Sequence, residues 1–272
     1  MEKNTFGKRL GSMLKVDFKR LFLSRSFYII VAACLLAPIL ILVMTTMMDG
    51  SVSVDPQTGK ETVIEGFDNV WQIIGSVSDL NTSANAGGDM SAMSMDIVSM
   101  CNINMLYFAI AALVCIFVAD DFRSGYAKNL FTVRAKKTDY VASKTLVLFV
   151  GSAFMMLAFV LGAILGGIFA GVSFEMVGFN VGNLIMSILA KILLCLIFVG
   201  IYLCMSVVAK QKLWLSILLS FGVGMFLFNI APMVSPLNSG ILQVILCTAG
   251  GAGFAIGMGA ISNVVLMKTS LV

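Results

Sequence analysis

The sequence contains no histidine and few charged side chains. Of its 272 residues, 12% are charged and 59% are hydrophobic, and the mean hydropathy is +1.00. Soluble globular chains carry about 25% charged residues, so this composition excludes an ordinary soluble protein and indicates an integral membrane protein. The lack of histidine also excludes His-based catalytic triads and zinc sites that depend on imidazole.

Two patterns that would indicate chemistry on this chain are also missing. No stretch reads Gly-x-x-x-x-Gly-Lys-Ser/Thr, the loop whose backbone amides and lysine hold the phosphates of ATP. The six cysteines lie within or beside apolar runs and form no Cys-x-x-Cys pair, which is typical of packing residues rather than of a metal site or a disulfide framework. We therefore expect no enzyme activity, no metal and no cofactor on this chain.

Long apolar runs, by contrast, are abundant. A helix needs about 20 residues to cross a hydrocarbon core of about 30 Å, and six runs come close to or exceed that length. The predicted fold is an all-α membrane domain over 1–272 with six transmembrane helices. The predicted spans are 27–48, 101–119, 145–170, 184–208, 213–233 and 241–267.

The distribution of lysine and arginine predicts how these spans are oriented. Sixteen of the eighteen fall on one side of the predicted membrane, whereas only Lys60 lies on the other and Lys191 lies inside a span. Because positive residues mark the cytoplasmic side, both termini are predicted to be cytoplasmic and 49–100 to be an acidic extracellular loop. The positive charge is thus a topology signal and implies no nucleic acid partner. The sixteen lie in 1–26 and 120–144 and at Lys210, Lys212 and Lys268.

The outer loop contains one segment with helical periodicity. This pattern predicts an amphipathic helix on the outer leaflet or over the mouth of the bundle. Residues 55–59, which read Asp-Pro-Gln-Thr-Gly, are typical of a turn at the tip of a hairpin. The periodic apolar residues are Phe67, Val70, Trp71, Ile74 and Val77.

The segment 8–23 predicts an amphipathic helix at the cytoplasmic membrane surface, just ahead of span 1. Asp17 interrupts its apolar stripe, where a lone carboxylate costs several kcal/mol through desolvation. Two arrangements avoid this cost within the helix: Arg20, one turn further on, satisfies Asp17, or the helix rolls to expose it. In a third arrangement, Asp17 pairs with a cation of the segment 120–144, such as Arg123, and fastens the two cytoplasmic segments together.

The second cytoplasmic segment, 120–144, connects spans 2 and 3. Its first residues are acidic, as suits the start of a helix, and Gly125 permits a sharp bend after the membrane exit. A short helix held on the cytoplasmic face is therefore predicted.

The run Asp121-Phe122-Arg123-Ser124-Gly125 is followed about a dozen residues later by basic residues, by Thr138-Asp139-Tyr140 and by Lys144. Together they resemble the acid-Phe-Arg-x-Gly signature of ABC exporter permeases of the second type. The segment 14–21, with its acid at Asp17, is similar to the N-terminal elbow helix of that family. The resemblance implies an elbow helix at 8–23 with Asp17 and Arg20 as its pairing residues, and a coupling helix within 122–135 that sits in a groove of a separate ATPase subunit. The implied ATPase-coupling residues are Asp121, Phe122, Arg123, Gly125, Tyr126, Lys128, Asn129 and Leu130.

The resemblance also implies a function. The chain would be the transmembrane permease of an ATP-driven exporter in a bacterial plasma membrane, with ATP and Mg bound by the partner ATPase subunits and a second permease chain, identical or homologous, beside it in the lipid. The long loop 49–100 and the short connection 235–240 depart from relatives that handle polysaccharides or sterols. They favour the peptide- and drug-export branch, with an amphipathic substrate such as an antimicrobial peptide, a drug or a lipid-like molecule.

Two other classes compete with this interpretation. An ion- or proton-coupled secondary transporter is expected to have several buried acids and an internal repeat, neither of which is visible here. A non-transporting membrane anchor or sensor leaves the cytoplasmic segment 120–144 without a purpose. An ABC importer permease is a further variant, but its Glu-Ala-Ala-type loop is absent from the sequence.

Three polar residues in or near the spans are candidates for a transport pathway: Lys191, Asn229 and Asn102. An intramembrane charge such as Lys191 is a functional candidate by default, although its long stem also permits it to reach the outer interface. Asparagines near span ends either line a polar path or bond to neighbouring helices. The pairs Gly162/Gly166 and Gly253/Gly257 permit close helix contacts, which we expect within the bundle rather than at a dimer seam.

Overall fold

The computed structural model describes residues 6–54, 61–63, 66–75, 102–132, 136–209, 212–228 and 231–268. Within these ranges the chain is mainly helical. The helices are α1 (Phe6–Leu23), α2 (Arg25–Met48), α3 (Leu106–Arg123), α4 (Tyr126–Thr132), α5 (Lys137–Ala170), α6 (Val181–Ala209), α7 (Leu213–Phe228) and α8 (Ile241–Lys268).

Five helical stretches are long and apolar enough to cross a membrane. They are α2, α3 with the 3-10 turn before it, α5, α6 and α8. The remaining apolar helix, α7, has 16 residues, which corresponds to about 24 Å at 1.5 Å per residue. The prediction of a multi-pass, all-α membrane protein is confirmed.

The first helix, α1, is amphipathic and separate from α2. Met13, Asp17 and Leu21 are buried on one stripe with a spacing of four residues, whereas Lys15 and Lys19 are exposed. Ser24 has an extended backbone and breaks the helix before α2 begins. α1 therefore lies against the bundle as a separate element whose buried stripe includes a carboxylate.

Close backbone contact joins α2 to α5. A Cβ atom added to Gly162 would lie 2.1 Å from the backbone oxygen of Leu35, and one added to Gly166 would lie 2.8 Å from the Cα of Ile39. These two glycines thus pack within the bundle, as expected. Around Gly253 and Gly257 of α8, by contrast, the described part of the chain places no atom within 4 Å of such a Cβ.

The two ends of the bundle differ in charge. We call the basic end the region where the start of α5 meets α1, α4 and the last turn of α8, and the acidic end the region where residues 66–75 meet the α5–α6 connection. The charge pattern predicts that the basic end faces the cytoplasm.

At the acidic end the predicted helix is a short 3-10 turn, Val70–Ile73, and the expectation of a longer helix was wrong there. Tertiary contacts explain the difference: the Val70 amide donates to the oxygen of Ser173 at 3.0 Å, and the Trp71 indole donates to the oxygen of Phe174 at 3.0 Å. The segment thus packs on the α5–α6 connection instead of lying on the leaflet. Val77 lies outside the described residues.

A short hairpin precedes this segment. Its strands, β1 (Val52–Val54) and β2 (Glu61–Val63), pair in antiparallel register with Val52 opposite Val63. The predicted turn at 55–59 lies outside the described residues.

Candidate functional site

A cluster of buried charges lies at the basic end. The Lys144 ammonium is 2.8 Å from an oxygen of Asp17 and 2.7 Å from an oxygen of Asp121. All three side chains are fully buried. Separating these groups would leave a buried charge unpaired, which costs several kcal/mol. The cation that the two carboxylates share therefore holds α1, α3 and α5 together.

Further donors complete this cluster. The Ser143 hydroxyl donates to Asp17 at 2.7 Å, and the Tyr140 hydroxyl donates to Asp121 at 2.9 Å. The Arg20 guanidinium forms an ion pair with the other oxygen of Asp121. Two carboxylates are thus matched by two cations and two hydroxyl donors, which satisfies the condition for keeping charges out of water. We call Asp17, Arg20, Asp121, Tyr140, Ser143 and Lys144 the ion cluster.

Aromatic rings extend the ion cluster to α4. The guanidinium carbon of Arg20 lies 4.0 Å from the centre of the Tyr126 ring, and the Lys144 ammonium lies 4.3 Å from the centre of the Phe117 ring. Both distances are within the range of cation–π attraction. Arg20 therefore contacts α3 through Asp121 and α4 through Tyr126.

The surroundings of Arg20 and Tyr126 define their charge states. Burial lowers the pKa of Arg20, but the Asp121 carboxylate more than offsets it, so the pKa lies above its ordinary value. Burial, and next the negative charge of Asp17, raises the pKa of the Tyr126 hydroxyl. Arg20 is thus a permanent cation that lies over a neutral phenol ring.

Helical spacing explains why these residues meet. Tyr140 and Lys144 are four residues apart in α5, and Phe117 and Asp121 are four residues apart in α3, so each pair shares a helix face. A second ion pair lies one residue before Tyr140, where Arg9 of α1 is 2.9 Å from Asp139. α1 is therefore attached to α5 at two levels.

A sharp turn links α3 to α4. Gly125 has a φ of +71°, in the left-handed region that favours glycine, and the Ser124 hydroxyl donates to the oxygen of Asp120 at 2.6 Å. The seven-residue helix α4 then turns Ala127 inward. Its Phe131 ring packs edge-on against Tyr140, with the ring centres 5.4 Å apart.

The predicted ATPase-coupling residues fall into three groups. Asp121 and Phe122 are buried, Gly125, Tyr126 and Leu130 are half-buried, and the remaining three are exposed. The exposed residues, Arg123, Lys128 and Asn129, give the α3–α4 turn and α4 a basic, polar outer surface.

Asp17 pairs with a cation of the segment 120–144, which confirms the third arrangement, but that cation is Lys144 rather than Arg123. Asp17 pairs with Lys144 of α5, whereas Arg20 pairs with Asp121 and Arg123 is exposed at the end of α3. The sequence places Tyr140 and Lys144 in the family signature, but charge counting assigns Lys144 only to the cytoplasmic surface and does not single it out as the partner of Asp17. The signal that would have identified it is its position one helical turn after Tyr140, at the start of an otherwise apolar helix.

The structure describes two of the three predicted pathway residues, Lys191 and Asn102. The Lys191 ammonium is fully buried and donates to Ser235, at 2.8 Å to the backbone oxygen and 3.2 Å to the hydroxyl. It thus links α6 to the α7–α8 connection instead of ending in the lipid interface. The Asn102 side chain accepts a hydrogen bond from the Asn104 amide at 3.0 Å and so caps the 3-10 turn before α3. Asn229 lies outside the described residues.

Comparison with known proteins identifies the family. A family model described as an ABC-2 family transporter protein matches residues 69–227, more than half of the chain, including Asp121 and Lys144. Neither the comparison with curated proteins nor that with solved structures found a match. Because the match covers the helices that carry most of the ion cluster, the chain belongs to the ABC-2 family of transporter permeases.

Proposed function

We propose that this chain is the permease subunit of an ATP-driven exporter and that a separate ATPase subunit binds α4. Permeases of this family are transmembrane components that generally work with ATPase subunits. The observation that carries the proposal is the ion cluster. It connects the base of α4 to α1 and to α5, so that a force on α4 reaches the transmembrane helices.

The surface of α4 suits such a partner. Arg123, Lys128 and Asn129 are exposed at the basic end, and Gly125 sets α4 at an angle to α3. Ala127 and Phe131 hold the other face of α4 against the bundle. A subunit that binds the exposed face therefore contacts an element that is supported from behind.

The ion cluster connects α4 to the transmembrane helices through a continuous series of contacts. Arg20 contacts both Tyr126 of α4 and Asp121 of α3, and Asp121 shares Lys144 with Asp17. Lys144 lies near the start of α5, a helix of 34 residues. At 1.5 Å per residue, α5 is about 51 Å long, against about 30 Å for the hydrocarbon core. Tilting its projecting end therefore moves the part inside the membrane.

A full set of six spans fits this role, with α7 as the shorter fifth span. Its Ser216 hydroxyl donates to Ser206 near the end of α6 at 2.8 Å. Beyond α7, Ser235 accepts a hydrogen bond from Lys191 and, at 3.5 Å, from Ser187 near the start of α6. The stretch of α6 from Ser187 to Ser206 is about 28 Å long, close to the thickness of the hydrocarbon core. These contacts at the two ends of α6 support a fifth span that includes α7.

The transported substrate is an amphipathic molecule, such as an antimicrobial peptide, a drug or a lipid-like compound, and the membrane is the bacterial plasma membrane. Two permease chains, identical or homologous, assemble above two ATPase subunits that bind ATP and Mg. The negative charge of the long loop 49–100 attracts a cationic substrate, which favours a cationic molecule as the cargo. Export follows from closure of the ATPase pair beneath the two copies of α4.

Affinity purification from the native membrane tests this function. The wild-type chain and the Arg123→Glu/Lys128→Glu variant are solubilised in mild detergent, and co-purifying proteins are identified by mass spectrometry. An ATPase subunit is expected with the wild type and is expected to be lost with the variant. Lys212→Glu is the matched control, because Lys212 is exposed in the α6–α7 connection and not on α4. This variant is expected to retain the ATPase.

Two outcomes would contradict the proposal. A wild-type chain that is recovered without any ATPase and supports no ATP-dependent transport points to a secondary transporter or a membrane anchor. Equal recovery of an ATPase with all three proteins places its binding surface away from α4.

A further inference from the structure

A cleft of about 560 Å³ opens between α5, α6 and α8 at the basic end. Nine of its twelve lining residues are apolar, and five of these nine are alanine or glycine. Leu196 contributes to the wall near Ala252, which we call the deep end. Gly259 of α8 faces Val141 of α5, since a Cβ atom there would lie at van der Waals contact, 3.5 Å from a methyl group of Val141. The small residues of the walls are Ala142, Ala252, Ala255, Gly259 and Ala260.

The length of the cleft matches one leaflet of the bilayer. Along α8 it extends from Ala252 to Asn263, a distance of about 17 Å at 1.5 Å per residue. Half of the hydrocarbon core is about 15 Å thick. The deep end therefore lies near the bilayer centre, and the end with Thr138 and Asn263 lies at the headgroup level of the leaflet that the charge pattern assigns to the cytoplasm.

Positive charge surrounds the headgroup end. Lys137 directly precedes Thr138, and its ammonium donates to the backbone oxygen of Leu266 at 2.5 Å. Leu266 lies within one helical turn of Asn263. Lys136 and Lys268 are exposed beside it. The acid nearest in sequence, Asp139, is buried and paired with Arg9.

We propose that this cleft binds an anionic phospholipid of the cytoplasmic leaflet, with an acyl chain in the cleft and its phosphate beside Lys136, Lys137 and Lys268. Apolar contact alone does not select a ligand in a bilayer, because lipid tails are as apolar as the cleft. Selection comes from the fit of the chain between small residues and from the charge at the headgroup. Each lysine near the membrane surface contributes about 1 kcal/mol toward anionic lipid, or about fivefold in affinity.

The site is separate from the ion cluster and from the ATPase-binding surface. The proposal rests on the cleft and its charges, and it remains valid whichever partner α4 binds.

Native mass spectrometry of the purified chain tests the cleft. The protein in detergent is titrated with dioleoyl-phosphatidylglycerol or dioleoyl-phosphatidylcholine, and bound lipids are counted. The wild type is expected to retain one tightly bound phosphatidylglycerol and to prefer it over phosphatidylcholine. Gly259→Leu fills the cleft and is expected to abolish this binding. Gly257→Leu is the matched control, since it makes the same change in the same helix at a position with no atom of the described residues within 4 Å.

The charge is tested separately. Lys268→Gln is expected to lower the preference for phosphatidylglycerol about fivefold without changing phosphatidylcholine binding, whereas Lys212→Gln is expected to leave the preference unchanged.

Three results would overturn the proposal. In the first, the Gly259→Leu and Gly257→Leu variants bind lipid equally. In the second, Lys268→Gln leaves the preference for phosphatidylglycerol intact. In the third, Gly259→Leu converts a dimer into a monomer while the number of bound lipids stays unchanged. The last result would identify the cleft as a contact between two copies of the chain. Thermal unfolding of each variant in detergent provides the control for folding.

Discussion

The two ends of the bundle are held together by different chemistry. At the basic end, two carboxylates, two cations and two hydroxyl groups form one buried network across α1, α3 and α5. Away from the basic end the contacts are individual hydrogen bonds to backbone oxygens: Trp71 donates to the α5–α6 connection at the acidic end, and Lys191 of α6 donates to the α7–α8 connection. Loss of one member of the network leaves buried charges unpaired, whereas loss of a contact to a backbone oxygen removes a local bond. Substitutions in the network are therefore expected to cost more stability than substitutions at the individual contacts to backbone oxygens.

The largest effect is expected from Lys144→Met. This change leaves Asp17 buried without the Lys144 cation, whereas Asp121 keeps Arg20 and the Tyr140 hydroxyl. Removing one partner of a buried ion pair costs about 3–5 kcal/mol, so the free energy of unfolding should fall by about that amount. Thermal unfolding in detergent, followed by size-exclusion chromatography, measures it. A variant that unfolds at the wild-type temperature would mean that the network does not stabilise the basic end.

A double-mutant cycle sharpens this point. Asp17→Asn and Lys144→Gln are measured singly and together by thermal unfolding. Contacting charged residues show coupling of about 0.5–3 kcal/mol, and we expect the upper part of this range because both groups are fully buried. The matched pair is Asp17→Asn with Lys212→Gln, for which additive effects are expected. Additivity in both cycles would rule out a direct interaction between Asp17 and Lys144.

Lys191→Met should have a smaller effect than Lys144→Met. It removes hydrogen bonds from a charged donor, each worth about 1.5–3 kcal/mol, but it also removes the cost of burying the ammonium group. We therefore expect a loss of about 1–2 kcal/mol in the free energy of unfolding. If Lys191→Met destabilised the protein more than Lys144→Met, the contrast between the network and the contacts to backbone oxygens would be reversed.

The smallest effect is expected from Trp71→Phe. The ring contact with Phe174, with centres 5.9 Å apart, is retained, and only the indole hydrogen bond is lost. The cost should be about 1 kcal/mol, expressed as faster amide hydrogen exchange in residues 66–75 with unchanged global unfolding. Unchanged exchange in this segment would show that the indole bond does not hold it on the α5–α6 connection.

Much of the architecture was predictable because it depends on local chemistry. Apolar runs predicted the membrane helices, since backbone groups in lipid must bond within the helix. Gly125 predicted the bend before α4, because few other residues adopt a positive φ without strain. The resemblance carried by 121–125 is confirmed at the level of the family. The unusual place of Asp17 in an apolar stripe was also visible from helical spacing, whereas its burial was one of the arrangements left open.

The partners of buried polar groups were not predictable in the same way. Asp17 lies 127 positions from Lys144, and Lys191 lies 44 positions from Ser235. The sequence shows that each group needs a partner, because an unpaired charge in an apolar setting is costly. It does not show which helix faces which, because that choice depends on how side chains along whole helices fit together. The expected helix at 67–77 fails for a related reason: hydrogen bonds to Ser173 and Phe174 take its backbone out of a regular helix.

By itself, the sequence determined that this protein is a multi-pass helical membrane protein of the ABC-2 family, with its positive charge concentrated in a few connections and one carboxylate out of place in an amphipathic helix. Periodicity, hydrophobicity and charge distribution are properties of single segments, and they persist whatever the segments pack against. Only the tertiary structure decided that Lys144 joins Asp17 to Asp121 and that α5, α6 and α8 leave a cleft with a basic rim. Both features arise between helices, where the free energy depends on distances that no single segment specifies.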